Sequence, residues 1–411
     1  MVAEGHQVFP NLSAIAGSQA QVLSKVNNKQ ELRIRFLDSI EEIDQPSWNI
    51  LAGDASPFLR HEFLRALENT GCTSRETGWQ PYHVAVWDSR DSLLAVMPLY
   101  QKFNSYGEYV FDWSWADAYR ANGLSYYPKF LTAIPFTPSV GPRILVSEQT
   151  EINDVTDAVA EAVLGRAEEL GISSWHVLFP TEVESELLAI AGLKSREGSQ
   201  FHWFNRGYRS FDDFLAALNS RKRKNIRKER QAVARQGIQF SIVEGRDIDD
   251  RLWKHFYTFY QSTYMMRGMQ GYLSEEFFFR IAQLMPDNLF LVLAKLDQQI
   301  IAGALFFRDE RKLYGRYWGS LEDFQFLHFE TCFYQGIDYC ISHGLQQFDA
   351  GAQGEHKIQR GFEPIRTLSS HWIRHPTFSR AVDDFLERER LHVSRYRTEA
   401  SKLLPFKKSD Q

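Results

Sequence analysis

One twelve-residue stretch, Gly351-Ala352-Gln353-Gly354-Glu355-His356-Lys357-Ile358-Gln359-Arg360-Gly361-Phe362, gathers two cations, an imidazole and a carboxylate between glycines. It follows a predicted strand at about 346–350, so the glycines can turn the chain tightly and present Glu355, His356, Lys357 and Arg360 at the end of a sheet. Transfer of an acyl group to an amine needs a base for the ammonium proton and a fixed positive group for the tetrahedral oxyanion. Lys357 and Arg360 suit the second task, and His356 or Glu355 the first. The same residues would also make an ordinary polar surface turn.

A second group is Tyr314-Gly315-Arg316-Tyr317-Trp318-Gly319, which leads through His328-Phe329-Glu330 into an amphipathic helix. His328 stands near the start of that helix, where a neutral imidazole is favoured over a charged one. It is a candidate base or simply a capping residue; Glu330 is a further candidate base, and Arg316 and Tyr317 are candidate substrate contacts. In the first half an aromatic segment, about 102–145, carries Glu108, Asp112, Asp117, Lys129 and Arg143. That composition suits an acceptor pocket, or an ordered insertion packed on a sheet.

Charge is distributed unevenly. The 47 Lys/Arg and 52 Asp/Glu of the 411 residues sum to −5, yet residues 221–235 hold eight Lys/Arg against one Glu. At helical pitch Arg223, Arg227 and Arg230 fall on one face, with Lys224 and Lys228 beside them. Solvated helices usually alternate Glu with Lys, which favours a polyanionic partner over the alternative, a solvated helix face beside the domain join. CoA phosphates, a tRNA backbone, or a phosphorylated lipid or nucleotide-sugar acceptor would all relieve its self-repulsion.

Several standard sites are missing: there is no Walker A loop, no G-x-G-x-x-G, no G-x-S-x-G and no H-E-x-x-H. His371 and His375 have helical metal-pair spacing but sit in strand-like text, which would set them more than about 10 Å apart, so no metal is expected. Apolar residues at 44% and charged residues at 24% are ordinary globular usage. No stretch reaches the ~18 apolar residues of a membrane span, and the N-terminus lacks the pattern of a signal peptide. Three cysteines, Cys72, Cys332 and Cys340, cannot all pair. A cytoplasmic protein is expected.

The elements that must position these residues repeat. Phe58-Leu59-Arg60-His61-Glu62-Phe63-Leu64 resembles Tyr272-Leu273-Ser274-Glu275-Glu276-Phe277-Phe278, and each precedes an apolar hairpin: Val84–Val86 with Leu93–Ala95, and Leu291–Leu293 with Ile300–Ala302. Each hairpin leads to an amphipathic helix stopped by Gly171 or Gly344, then a strand, and each half ends on Gly-x9-His-Trp, at Gly192/His202 and Gly361/His371. The spacing predicts an α+β chain of two like domains, 35–205 (with 102–145 as an insertion) and 206–375. A flexible segment over 1–34 and a C-terminal helix and tail over 376–411 flank them. The order of elements resembles the acetyltransferase (GNAT) fold in duplicate, with a cleft between the copies.

Asp112-Trp113-Ser114-Trp115-Ala116-Asp117-Ala118-Tyr119, Ala133-Ile134-Pro135-Phe136-Thr137-Pro138, the basic helix, His328-Phe329-Glu330 and Gly351–Lys357 together resemble the FemAB-like group of N-acyltransferases, also described as peptidoglycan biosynthesis/recognition proteins. The resemblance covers roughly 35–395 and implies a bacterial-type tandem GNAT chain. More distantly, the Fem peptidyltransferases open their second domain with a basic helix and place a lysine at the reacting carbonyl. The resemblance gives that role to Lys357. Two departures stand out: the GNAT pyrophosphate loop is not visible at 319–328, and the long helical hairpin inserted in some Fem enzymes is missing.

The expected function is transfer of an acyl or aminoacyl group from an acyl-CoA-type thioester or an aminoacyl-tRNA to an amine in the cleft. Lys357 and Arg360 would hold the oxyanion, His328, Glu330 or His356 would take the proton, and the basic helix would hold donor or acceptor phosphates. One rival is a Fem-like aminoacyl-tRNA-dependent transferase on a peptidoglycan precursor. Another is a non-catalytic tandem that binds a cell-wall fragment or nucleic acid.

Overall fold

The computed structural model describes residues 21–25, 31–54, 56–352 and 354–407. Residues 1–20 and 26–30 of the expected flexible segment lie outside them, while Gln21–Lys25 and the chain from Glu31 onward are strand. The strands of the first half are β1 (Gln21–Lys25), β2 (Glu31–Leu37), β3 (Trp79–Pro81), β4 (His83–Trp87), β5 (Leu93–Met97), β6 (Tyr100–Lys102), β7 (Lys129–Thr132), β8 (Leu145–Val146), β9 (Ser174–Leu178) and β10 (Lys194–Phe204). Those of the second are β11 (Gln239–Glu244), β12 (Leu289–Leu296), β13 (Gln299–Arg308), β14 (Lys312–Ser320), β15 (Gln347–Asp349) and β16 (Glu363–Ile373).

Both expected hairpins form, as β4/β5 and β12/β13. Both amphipathic helices form, Ile152–Leu170 and the helix that begins at Leu327, each followed by its strand, β9 or β15. The chain is α+β, with two GNAT-like units in tandem. Its strands make a five-stranded sheet, β1-β2-β4-β5-β8, and an eleven-stranded sheet, β11-β12-β13-β14-β15-β10-β16-β9-β7-β6-β3.

The large sheet is joined by a reciprocal exchange. β10 closes the first half in sequence, yet it pairs with β15 through His202↔Asp349; β16 closes the second half, yet it pairs with β9 through His371↔His176. The two exchanged strands then pair with each other antiparallel from Lys194↔His371 to His202↔Glu363. The two halves also share a hydrophobic core, with the Phe58 ring 5.0 Å from Phe307 and 5.1 Å from Tyr314.

Segment 102–145 differs from an appended insertion. Its strand β7 sits inside the large sheet between β6 and β9, because Lys129–Thr132 is buried throughout and pairs on both sides. The C-terminal helix runs Pro376–Lys402 and packs on β10 and β16. None of the helices among the described residues is long and apolar enough to cross a membrane.

Candidate active site

β14 and β15 pair in parallel for three residues, Lys312↔Gln347 to Tyr314↔Asp349, and then part. β14 stays on β13 as far as Ser320, while β15 ends at Asp349 and the chain turns away. The opening between them is a cavity of about 290 Å³. Gly315 to Trp318 form one wall and Ala350 to Ala352 the other. The helix after β14 contributes His328, Cys332 and Phe333, the turn after β15 contributes His356 and Lys357, and the first half contributes Tyr109, Phe136 and Pro138.

Three local irregularities shape this cavity. On β14 Arg316 is an extra residue in a bulge, since Leu305 pairs with Tyr317 and Phe306 with Gly315, and a bulge re-aims the side chain it carries. The helix that begins at Leu327 widens to a π-turn over Glu330–Tyr334, which carries Cys332 and Phe333; such turns are frequent at functional sites. Tyr109 and Phe136 hold left-handed backbone, φ 64° and 57°, a cost that non-glycine residues bear where the surroundings impose it.

Lys357 is a buried cation in the cavity lining. Its turn, Glu355–Arg360, opens at Gly354 (φ 110°) and closes at Gly361 (φ 86°), conformations an L side chain rarely adopts. The buried ammonium donates to the carbonyls of Ala350 and Gly351, both at 2.7 Å. Burial pushes its pKa down to about 8, with Asp349 pulling the other way and Arg316 adding to the fall. Behind it Arg316 donates to Asp349 at 2.7 Å, and the same carboxylate accepts the Gly351 amide at 2.9 Å. Asp349 is therefore held ionised: despite burial, Arg316 and His202 bring its pKa well below the ordinary carboxylate range.

Across the cavity, the His328 ring packs 5.5 Å from Trp318, 5.3 Å from Phe333 and 6.1 Å from His356. Burial, then the nearby His356, Lys357 and Arg360, lower its pKa to about 4, so it is a neutral proton acceptor at physiological pH. His356 is lowered too, chiefly by burial.

Other residues singled out from the sequence lie elsewhere. Arg360 does not line the cavity: its guanidinium binds Glu229 at 2.8 and 3.0 Å, donates to Tyr334 and to the His356 carbonyl, and stacks 3.5 Å over Phe329. It anchors the turn from behind, and the arginine of this region that lines the cavity is Arg316. Glu330 is also turned away, bound to Arg230 at 3.0 Å and Gln335 at 2.8 Å. In the first half Lys129 binds Glu108 at 2.8 Å and also Asp112, inside a sealed polar core that reaches Tyr126 and His176. Arg143 is buried and donates to the carbonyls of Leu178, Gly141 and Pro142, and Asp117 pairs with Arg120 on the surface. None of these five lines the cavity. Arg316 and Tyr317 do.

The basic helix, Ser220–Arg235, does not present its three arginines alike. Arg230 is drawn in by Glu330 and Asp338 and lies 4.2 Å over Phe211, and Arg227 pairs with Asp212 at 2.9 Å. Arg221, Arg223, Lys224 and Lys228 have no ion-pair partner among the described residues. At its N-terminal end Arg221 and Lys222 line a broad groove of about 1110 Å³ that also includes His356 and Gln359. His356 thus borders both the groove and the cavity between β14 and β15.

A sequence model for peptidoglycan biosynthesis/recognition proteins of FemAB-like type matches residues 39–408. The chain belongs to the FemAB-like family. No curated protein matches it. Among solved structures, the FemAB-like chain is similar to the C-terminal domain of an Agrobacterium fabrum protein named as a lysylphosphatidylglycerol synthetase (12% identity, TM-score 0.52, covering 84% of this chain and 96% of that one). It is also similar to FemX (15% identity, TM-score 0.50, 80% and 96%). A tandem GNAT protein from the clavulanic acid biosynthesis pathway aligns at 10% identity and TM-score 0.45, over 84% and 99%.

The GNAT fold raises the question of CoA. The segment entering the helix that begins at Leu327 is Leu321-Glu322-Asp323-Phe324-Gln325-Phe326, and it borders a cavity lined by Glu322 and Asp323 with no lysine or arginine. Two carboxylates repel a pyrophosphate, so these residues do not fit the phosphates of CoA. Sequence reasoning missed Asp349, Cys332 and Arg267 as members of the site. Asp349 had a readable signal, an acidic residue at the C-terminal end of a predicted strand; the other two had none.

Proposed function

We propose that this FemAB-like protein is an N-acyltransferase that moves an aminoacyl or acyl group from a polyanion-borne ester to an amine, with a cell-wall precursor as the acceptor. The observation that carries this reading is the buried, cationic Lys357 at the parting of β14 and β15, opposite a neutral His328 that has no hydrogen-bond partner among the described residues.

In the reaction the amine nitrogen donates its lone pair to the acyl carbon, and the C–N bond forms. The carbonyl oxygen gains negative charge, and Lys357 and Arg316 supply fixed positive charge beside it. His328 accepts the proton released from the attacking nitrogen. The C–O bond of the ester then breaks, and the leaving oxygen departs with the bonding pair and takes up a proton. Lys357 is a better oxyanion partner than an exposed lysine because its two carbonyl acceptors fix its position before the charge develops.

The basic groove beside His356 and the acidic segment at Glu322 and Asp323 favour an aminoacyl-tRNA over an acyl-CoA as donor. The test is to incubate the purified protein with a pool of charged tRNAs or a panel of acyl-CoAs and amine acceptors, and to follow product by mass spectrometry. Transfer from charged tRNA supports the reading. Transfer from acyl-CoA alone would overturn the donor, and transfer from neither would overturn the activity.

A further inference from the structure

The basic helix, Ser220–Arg235, carries a single carboxylate, Glu229, and that side chain turns inward, only 18% exposed. It accepts from the Arg360 guanidinium at 2.8 and 3.0 Å and from the Tyr334 hydroxyl. Arg360 in turn joins several elements. Its Nε donates at 3.0 Å to Tyr334, on the π-turn that brings Cys332 and Phe333 to the cavity, and its Nη1 donates at 2.7 Å to the carbonyl of His356, the residue before Lys357. Its face covers Phe329, whose ring lies 5.6 Å from those of both His328 and His356. A second contact ties the same helix to the same turn, from Lys222 to Gln359 at 2.9 Å. Lys357 and His328 therefore each adjoin a residue held by Arg360, and Arg360 is held by Glu229.

The charges across this joint are otherwise alike. The helix brings Arg221, Arg223, Lys224, Arg227 and Lys228, and the turn brings Lys357 and Arg360. Lys222 lies between them and registers both: burial, then Arg221 and Arg360, lower its pKa, and Glu229 pulls the other way. We propose that Glu229 is a positioning residue through which donor binding sets the reaction turn. Phosphates seated on the helix cations relieve the repulsion between helix and turn, the Glu229–Arg360 joint tightens, and Lys357 and His328 are fixed for transfer. This rests on the transferase reading and adds the way in which the donor prepares the site. The lone carboxylate in a cationic helix is then the element that makes donor binding felt at the cavity.

The experiment is amine labelling of the full chain by acetic anhydride, with the rate at Lys357 read by peptide mass spectrometry, without and with deacylated tRNA. In the parent protein tRNA should slow labelling of Lys357 by about fivefold or more. Glu229→Gln keeps the shape and removes the charge: tRNA should still bind, within about threefold, but its protection of Lys357 should be lost. Lys129, buried in the first half, should stay unlabelled in both proteins, which separates a loosened joint from unfolding. Tyr334→Phe removes one hydroxyl of the joint and should lose part of the protection, so the proposal stays testable if Glu229→Gln does not fold. Equal protection in the parent and both variants would mean shielding by bound tRNA and would overturn the coupling, as would no protection in the parent. With charged tRNA, single-turnover transfer by Glu229→Gln should fall about 10²-fold with donor affinity unchanged within about threefold. Protection that depends on Glu229, in a protein that transfers from no donor, would strike the transferase reading and leave the coupling standing. Transfer at the parental rate in Glu229→Gln would do the reverse.

Discussion

The Lys357 ammonium lies 2.7 Å from the carbonyl oxygen of Ala350, the first residue beyond the end of β15. A strand end that fixes a cation in this way would hold it still while charge develops on a substrate, the role proposed for Lys357. Lys357→Met should therefore lower turnover by about 10²–10³ with donor affinity unchanged within about threefold, as for a contact made only in the transition state. Single-turnover rates and donor titrations would check it. A loss of donor affinity equal to the loss of rate would instead make Lys357 a binding residue.

The same lysine should set the alkaline side of the pH profile. It must be protonated to face an oxyanion, and its pKa is pushed down to about 8, so activity should fall as pH rises through about 8. In Lys357→Met the residual activity should lack that fall. His328 must be neutral to accept a proton, which with a pKa of about 4 it is above that pH; His328→Ala should remove the acid limb and lower the rate by about 10²-fold or more.

The cations of the basic helix should separate by role. Arg223→Glu, Lys224→Glu and Lys228→Glu touch no ion-pair partner, so together they should weaken tRNA binding and flatten its salt dependence, with stability changes near 0.5 kcal/mol or less per site. Arg230→Glu should instead destabilise the fold by about 2–3 kcal/mol, since it strands Glu330, whose side chain is only 4% exposed. Denaturant unfolding beside filter binding resolves the two classes. Equal effects of Arg223 and Arg230 on stability would contradict it.

Buried histidines should make the fold acid-sensitive. Burial lowers His202 to about 4 and His176 to about 3 from 6.5, and His371, whose Nδ1 lies 2.7 Å from that of His176, is lowered as well. Below pH 6.5 the unfolded chain takes up protons that the folded chain refuses, so stability should fall as pH drops from about 6.5 towards 4. Calorimetric melting at pH 7.5, 6 and 5 tests this. A paired His176→Gln and His371→Gln variant should show a shallower slope, whatever its absolute stability.

Local pattern made much of this readable. The hairpins and helices follow from periodicity that each segment carries alone, and the Gly351–Phe362 turn was legible because its glycines and charges are consecutive. Partner choice was not legible. Arg360 and Lys357 are alike in sequence, and only the arrival of Glu229 from a helix some 130 residues earlier takes Arg360 out of the cavity. Glu108 and Lys129 looked like an acceptor site because a charged residue in an aromatic segment reads the same whether it faces a ligand or a buried partner. The bulge at Arg316 depends on the register between β13 and β14, a relation between strands that neither strand encodes by itself.

The exchange of β10 and β16 also bears on how the chain is made. When β10 leaves the ribosome, both strands that will flank it lie more than about 140 residues downstream, roughly 10–30 s away at ordinary elongation rates. Until then β9 and β10 expose backbone donors and acceptors with nothing to receive them, and the first half cannot close its share of the sheet. Nascent chains on neighbouring ribosomes offer the same unpaired edges to one another. Synthesis is the period in which this protein is most exposed to strand-swapped aggregation, and truncation before Glu363 would leave it there permanently.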